Sequence, residues 1–335
     1  MLNRPIPITQ HVLDDDTVQL VSISCLTYNH ENFIRDTIQG FLIQETTFSV
    51  KINIFEDCSR DNTANIIREY QEKYPALFNV FFQPENTWKK PIRKKALEPF
   101  YKAHEKAKYI ALCEGDDYWT DPLKLQKQVD FLEQNNDYGL VYTDINKVDK
   151  NNILFELQSF TKKPLPVCES FEDYLINSPF LAPCTWLIRA NLIQKREKKY
   201  VVGDLPMLLD IVAHSKIHYL NEACSNYRVL TRSASHFTTV EQEYNFMKGM
   251  YEIQIDYAQK YRISKDVIEK IKINYAFRSY NFAVAQNDKT QIKVANKLLK
   301  NHSGISLKFR LIKLISKSKL TRAIYKKIFN KRLGN

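Results

Sequence analysis

The sequence predicts an α/β protein with a mostly parallel sheet flanked by helices and a helical extension at its C-terminal end. Three observations carry this. Through residue 145, short β-rich runs alternate with stretches of helical periodicity, which is the pattern of βαβ units. Three of those runs end in polar, acid-rich segments, where open sheets of this kind bind ligands. From residue 240 onward the periodicity is helical to the end, rich in Tyr, Phe, Ile and Lys.

Taken in order, residues 21–27 (VSISCLT) read as a buried strand, and residues 31–44 as a helix with Ile34, Ile38, Phe41 and Leu42 on one face. Residues 51–55 (KINIF) form a second strand, and residues 61–74 a helix with Ile66, Ile67 and Tyr70 inward. Residues 79–82 are a short third strand, 91–106 a helix and 109–113 (YIALC) a fourth strand. Pro122 opens a helix reaching residue 135, in the favoured first-turn position. Residues 139–143 make a fifth strand. Beyond a looser region at 146–180, with a surface loop at 162–166, residues 183–191 and 218–221 suggest two more strands around a helix at 204–213. The expected domains are 1–239, made of two halves (1–145 and 146–239), and a helical extension over 240–335 with a basic tail.

Composition narrows the function. With 44% apolar residues in 335, the chain can bury a large core. Among its 7 glycines there is neither Gly-x-Gly-x-x-Gly nor a P-loop, so both phosphate-cradling signatures are missing. Its 6 cysteines form no Cys-x-x-Cys pair, so buried reduced thiols are expected rather than a zinc site. The first 19 residues lack an apolar run and contain Asp14, Asp15 and Asp16, so no signal peptide is expected. No stretch approaches the ~20 apolar residues of a spanning helix. The net charge of +11 is concentrated in residues 290–335, which hold 13 Lys and Arg and no acid, so the rest is nearly neutral.

Three segments sit at strand ends. The sharpest is Glu114-Gly115-Asp116-Asp117-Tyr118-Trp119. Three carboxylates in four residues repel one another, which suits a divalent cation such as Mn²⁺ or Mg²⁺; an acidic turn capping the next helix is the alternative. The second, Glu56-Asp57-Cys58-Ser59-Arg60-Asp61-Asn62-Thr63, supplies a helix cap at Ser59 or Asp61 and leaves Asp57 able to accept from a nucleobase N–H. The third, Thr27-Tyr28-Asn29-His30-Glu31, offers hydroxyl, aromatic and amide groups, although Asn29 also serves as a helix cap.

Together, in order and spacing from residue 21 to about 144, these segments resemble the inverting glycosyltransferases of family 2, with the GT-A (Rossmann-like) fold. The resemblance implies a UDP-sugar donor, a divalent metal and a glycan or lipid-linked acceptor whose hydroxyl attacks the anomeric carbon with inversion. It implies that Asp57 meets the uracil ring, that Thr27, Tyr28, Asn29 and Glu31 cradle the nucleoside, and that Asp116 and Asp117 serve as ribose and metal carboxylates. Asn86-Thr87-Trp88 lacks the family's glycine, and Arg93 or Lys95 reaches the diphosphate in place of the family's Ala-Arg-Asn. The resemblance also implies that Asp204, just before a helix, is the general base, with a helix-capping role as the alternative. His236, in a segment like the one that closes related sites, either completes the metal shell or is an exposed loop residue; Trp119 and Trp186 are candidates for the acceptor wall or the core.

The tail mixes cationic and apolar residues, with Leu307, Leu311, Leu314 and Ile315 on one helical face. It reads as a contact for an anionic membrane surface, or as a helix packed on the protein itself. No nucleic-acid motif is present, so no nucleic acid is expected. The resulting expectation is a cytoplasmic enzyme, peripheral on the inner face of the cell membrane, of surface polysaccharide synthesis. The competing readings are a nucleotidyltransferase and a non-catalytic membrane- or nucleic-acid-binding module.

Overall fold

The computed structural model describes residues 4–11, 19–196, 198–230, 237, 239–300 and 324. By internal contacts the chain divides into two compact units. The first comprises Met1–Leu165, Phe180–Lys195 and Asp210–Val229; the second comprises Pro166–Pro179, Arg196–Leu209 and Leu230–Asn335.

The first unit is built on one sheet whose described strands are β1 (Val21–Thr27), β2 (Val50–Glu56), β3 (Phe78–Phe82), β4 (Tyr109–Leu112), β5 (Tyr118–Trp119), β6 (Tyr138–Val148), β7 (Leu154–Glu156), β8 (Leu187–Arg189) and β9 (Lys216–Arg228). Their order is β3-β2-β1-β4-β8-β6-β9-β5, with β7 paired to β6. Strands β3, β2, β1 and β4 are parallel, as their alternation with helices predicts. Beyond them the sheet is mixed. β8 enters antiparallel between β4 and β6, β9 is parallel to β6, and β5 and β7 are antiparallel edges. The strand expected over 183–191 is therefore only three residues long, flanked by 3₁₀ turns at Pro183–Thr185 and Ala190–Leu192.

Strands β1 and β2 are buried over nearly their whole length, as parallel strands covered on both faces must be. Helices α1 (Ile34–Leu42), α2 (Thr63–Lys73), α3 (Arg93–Lys102) and α4 (Lys124–Gln134) pack on the sheet, followed by the short α5 (Ser159–Lys162). Ile34, Ile38 and Phe41 of α1 join Ile23, Cys25, Ile52 and Ile54 in one core. Each such fully buried side chain contributes roughly 1.5–3 kcal/mol.

The second unit is helical. It holds α6 (Phe171–Asn177), the long α8 (Val240–Lys260), α9 (Lys265–Gln286) and α10 (Lys289–Leu298), while α7 (Asp204–Val212) begins in it. Thr239, Ser264 and Asp288 cap the last three, each accepting a backbone N–H three residues on. Ala276, Tyr280, Val284, Ala295 and Leu299 form a core between α9 and α10. No described helix is long and apolar enough to cross a membrane. The basic tail beyond residue 300 and His236 lie outside the described residues, apart from Ile324.

Candidate functional site

The parallel register brings the three polar segments side by side. Thr27, the last residue of β1, accepts the Asp57 N–H on its carbonyl at 3.1 Å, and the carbonyl of Leu26 accepts the Gly115 N–H at 3.0 Å. The segment after β1 therefore lies between the other two. A Cβ added to Gly115 would sit 2.5 Å from Thr27 Oγ1 and 2.8 Å from His30 Nδ1, so only glycine permits this approach. Thr27 Oγ1 and His30 Nδ1 are themselves within hydrogen-bond distance at 3.2 Å. Burial holds the His30 imidazole below its ordinary range.

The first two segments are stitched together by reciprocal caps. The Asn29 N–H donates to Ser59 Oγ, and Arg60 N–H donates to Asn29 Oδ1. Likewise the Glu31 N–H donates to Asp61, and Asn62 N–H donates to the Glu31 carboxylate. Asn29 takes φ 54°, a left-handed conformation that asparagine tolerates. Asn29 and Glu31, expected to cradle the nucleoside, thus have their side chains committed to shaping the loop. Although burial alone would raise the Asp61 carboxyl, hydrogen bonds from Thr63 and the Glu31 N–H hold it low. Tyr28 is half-buried at the end of β1.

Asp57 is 4% exposed and already partnered within the protein. Its Oδ1 accepts from the Thr87 N–H at 2.8 Å and the Thr87 hydroxyl at 2.6 Å, and its Oδ2 pairs with Arg93 Nη1 at 2.9 Å. Arg93, expected at the diphosphate, is instead the ion-pair partner of Asp57, with its guanidinium 4.9 Å from the ring centre of Trp88. Trp88 is 57% exposed. Asp57 and Arg93 place an acceptor and a donor next to each other, and Thr87 and Trp88 fill out the edge; the sequence offered no signal for Thr87.

In the acidic turn the two aspartates part ways. Asp117, expected as a metal carboxylate, is 5% exposed and turned inward. Its Oδ1 accepts the Arg228 N–H at 2.7 Å and its carbonyl accepts the Thr37 hydroxyl at 2.7 Å. Burial, with the negative charge of Asp116 added, pushes the Asp117 carboxyl well above its ordinary range. Asp116 is half-exposed, and among the described residues no hydrogen bond or ion pair reaches its carboxylate. Its carbonyl accepts from Arg228 Nε at 2.8 Å, which fixes the turn and leaves the carboxylate open. One or two carboxylates beside open coordination positions suit Mg²⁺ or Mn²⁺, so the donor set fits such an ion on Asp116. Asp117, by contrast, has its Oδ1 engaged by the Arg228 N–H inside the turn.

Arg228 went unrecognised as a keystone in the sequence. Its side chain is 1% exposed, and its guanidinium reaches Asp36 Oδ2 at 3.0 Å, Asn152 Oδ1 at 2.5 Å and the Asp149 carbonyl at 3.3 Å. It also lies 4.6 Å from the ring centre of Phe33. The turn is further seated on α1, where a Cβ on Gly40 would meet the Trp119 backbone at 2.7 Å.

Trp119 and Trp186, candidates for the acceptor wall, are both 1% exposed and belong to the core. Trp119 Nε1 donates to the Cys184 carbonyl at 2.7 Å, its ring meets Phe41 edge-on at 4.9 Å, and Lys124 Nζ lies 4.2 Å from its centre. That ammonium is fully buried and pushed down to about 8. A large aromatic next to an acidic motif reads the same in sequence whether it faces substrate or core.

Asp204 lies in the second unit, in the first turn of α7. Its Oδ1 accepts the Leu205 N–H at 2.9 Å, and burial raises its carboxyl above the ordinary range. The preceding segment is held on α8: a Cβ on Gly249 would meet Val201 at 2.6 Å, Lys198 pairs with Asp256, and the Tyr257 hydroxyl donates to the Pro206 carbonyl at 3.0 Å. Gly203 stands in open space.

Residues 22–196 match the profile of the family described as "Glycosyl transferase family 2". The first curated relatives, uncharacterised mycobacterial proteins 43% identical over 115 residues, are matched over 32% of their own length. A putative teichuronic acid biosynthesis glycosyltransferase of Bacillus subtilis is 32% identical over 137 residues, covering 39% of this chain and 51% of that protein. Among solved structures, TarS of S. aureus in complex with UDP superposes with a TM-score of 0.52 at 15% identity, covering 88% of this chain and 90% of that one. A mannosyltransferase of Pyrobaculum calidifontis in complex with GDP-Man and Mn²⁺ gives 0.55 at 12% identity, covering 96% and 89%. At such identities the two structures establish the shared GT-A fold alone.

Proposed function

Because the chain belongs to glycosyl transferase family 2, we propose that it is an inverting hexosyltransferase that moves a sugar from a UDP-sugar to a hydroxyl of a glycan or lipid-linked acceptor in surface polysaccharide synthesis. The observation that carries this reading is the meeting of Thr27, Asp57 and Asp116 at adjacent strand ends, with the Asp116 carboxylate left open. UDP and GDP-Man in the structural neighbours support a nucleotide-sugar donor, and the teichuronic acid assignment of the Bacillus relative supports a surface glycan.

In this reading the Asp57–Arg93 pair reads the edge of the base. Uracil presents an N–H between two carbonyls, so a carboxylate accepts from it while the neighbouring guanidinium donates to one carbonyl. Asp116 would hold a divalent ion, Mn²⁺ or Mg²⁺, which would supply positive charge against the negative charge of the departing diphosphate. Asp117 and Arg228 keep that carboxylate in place. Asp204 is the general base: burial raises its proton affinity, which suits it to accept the acceptor's hydroxyl proton as the oxygen attacks the anomeric carbon. One displacement inverts the configuration, and no enzyme nucleophile is required. The Lys- and Arg-rich stretch from residue 290 serves as a contact for anionic lipid.

A panel of nucleotide sugars, assayed for release of the nucleoside diphosphate with and without Mn²⁺, tests this reading. UDP-sugars should be hydrolysed slowly with metal and hardly at all with chelator, and Asp116→Ala should abolish the release. Metal-independent release, or full activity in Asp116→Ala, would defeat it.

A further inference from the structure

The hairpin of β6 and β7 carries an apolar run that the donor chemistry does not use. Ile153, Leu154, Phe155 and Leu157 are 61%, 46%, 56% and 48% exposed. Successive residues of a strand point to opposite faces, so the exposure of about half of both Leu154 and Phe155 means that β7 is partly open on each of its two faces. Among the described residues β7 pairs with β6 alone, over Lys147↔Glu156 and Val148↔Leu154.

The charge around this run is cationic. Glu156 is paired twice, with Lys147 at 2.8 Å and Lys163 at 2.7 Å. Asp149 is consumed in the turn, where its Oδ1 accepts the N–H groups of Asn151 and Ile153. Lys150 at the turn and Lys162 at the end of α5 are exposed and have no ion pair among the described residues.

We propose that residues 149–158 form a wedge that enters the interface of an anionic membrane, with Leu154 and Phe155 among the acyl chains and Lys150 and Lys162 at the lipid phosphates. A flat protein surface could cover only one face of β7, whereas a lipid interface receives both. A second copy pairing along the edge is disfavoured, because three residues are too short an edge for stable strand addition. Arg228 links the hairpin to the acidic turn, donating to Asn152 Oδ1 and the Asp149 carbonyl while its Nε donates to the Asp116 carbonyl. Membrane contact here would present the acidic turn at a fixed height above the lipid. The inference does not depend on the donor or on the identity of the transferred sugar.

The full chain is sedimented with vesicles of phosphatidylcholine alone and with 30–40% phosphatidylglycerol, a range chosen as roughly that of an anionic leaflet. Wild type should bind the anionic vesicles. Leu154→Gln with Phe155→Gln should weaken that binding about tenfold or more, and Lys150→Glu with Lys162→Glu should do so mainly at low salt. A gain-of-signal variant, Phe155→Trp, should shift its emission to the blue on anionic vesicles, independently of any loss of stability. Unchanged binding in the double Gln variant, no blue shift, or a dimer in light scattering that the Gln variant abolishes would each overturn the wedge. Because nucleotide-sugar hydrolysis needs no membrane, its persistence in the Gln variant separates failure of the wedge from failure of the glycosyltransferase reading.

Discussion

Arg228 holds Asp117 with its main chain and Asp116 with its side chain: its N–H donates to Asp117 Oδ1 at 2.7 Å, and its Nε donates to the Asp116 carbonyl at 2.8 Å. Substituting the side chain leaves the first bond and removes the second. Arg228→Ala should therefore raise the metal concentration needed for half-maximal activity while leaving the KM for the donor base contacts little changed. The carbonyls left without donors should cost about 1–3 kcal/mol of stability. Arg228→Lys should recover part of the stability but little of the metal response, since an ammonium cannot reach Asp36, Asn152 and Asp116 together. Metal titrations alongside denaturant unfolding check both.

The two units make Asp204 testable on two axes. On the proposed general-base role, Asp204→Asn should lower kcat by about 10²–10⁴-fold, and in wild type the acidic limb of the rate profile should lie above the ordinary aspartate range. Stability should move the other way. A carboxyl raised by burial contributes stability that is fully present below its unfolded value and lost as pH rises through its folded value. Asp204→Asn should thus raise Tm at pH 8, with the gain shrinking toward pH 4. A Tm difference that grows at acid pH would contradict the burial.

Gly115 is required by close approach, since its φ is not in the left-handed region. Gly115→Ala puts a Cβ 2.7 Å from Thr27 Cβ, deep inside van der Waals contact. Separation of the acidic turn from β1 should cost about 1–3 kcal/mol and raise the KM for the nucleotide sugar. Gly203→Ala, which meets nothing within 4 Å, should leave stability nearly unchanged and serves as the control.

Arg93 is both the partner of Asp57 and the platform beside Trp88. Arg93→Ala should weaken nucleotide binding by about 1.5–3 kcal/mol, tenfold or more in KM, and should narrow the preference for one base over another. Trp88→Ala should reduce affinity for all bases alike. Competition by UDP, GDP and free uridine distinguishes the two.

The sequence by itself determined the order of elements in the parallel half. Strands over Val21–Thr27, Val50–Glu56 and Tyr109–Leu112 follow from apolar runs whose burial leaves no other solution, and the polar segments at their ends fall where the chain must turn. It also brought Thr27, Asp57 and Asp116 forward as candidates, because polar and acidic residues gathered at the ends of parallel strands fall where open sheets bind ligands. Which acid faces outward was decided by the tertiary structure alone. Asp116 and Asp117 are neighbours of one kind, and what turns Asp117 inward is the Thr37 hydroxyl on its carbonyl and an N–H from Arg228, 111 positions away. The same holds for Trp119, buried against Phe41 and Lys124, and for the commitment of Asn29 and Glu31 to their neighbouring loop. Local pattern reports the chemical type of a side chain and the period of its element. Its direction is set by partners that only folding brings within hydrogen-bond distance.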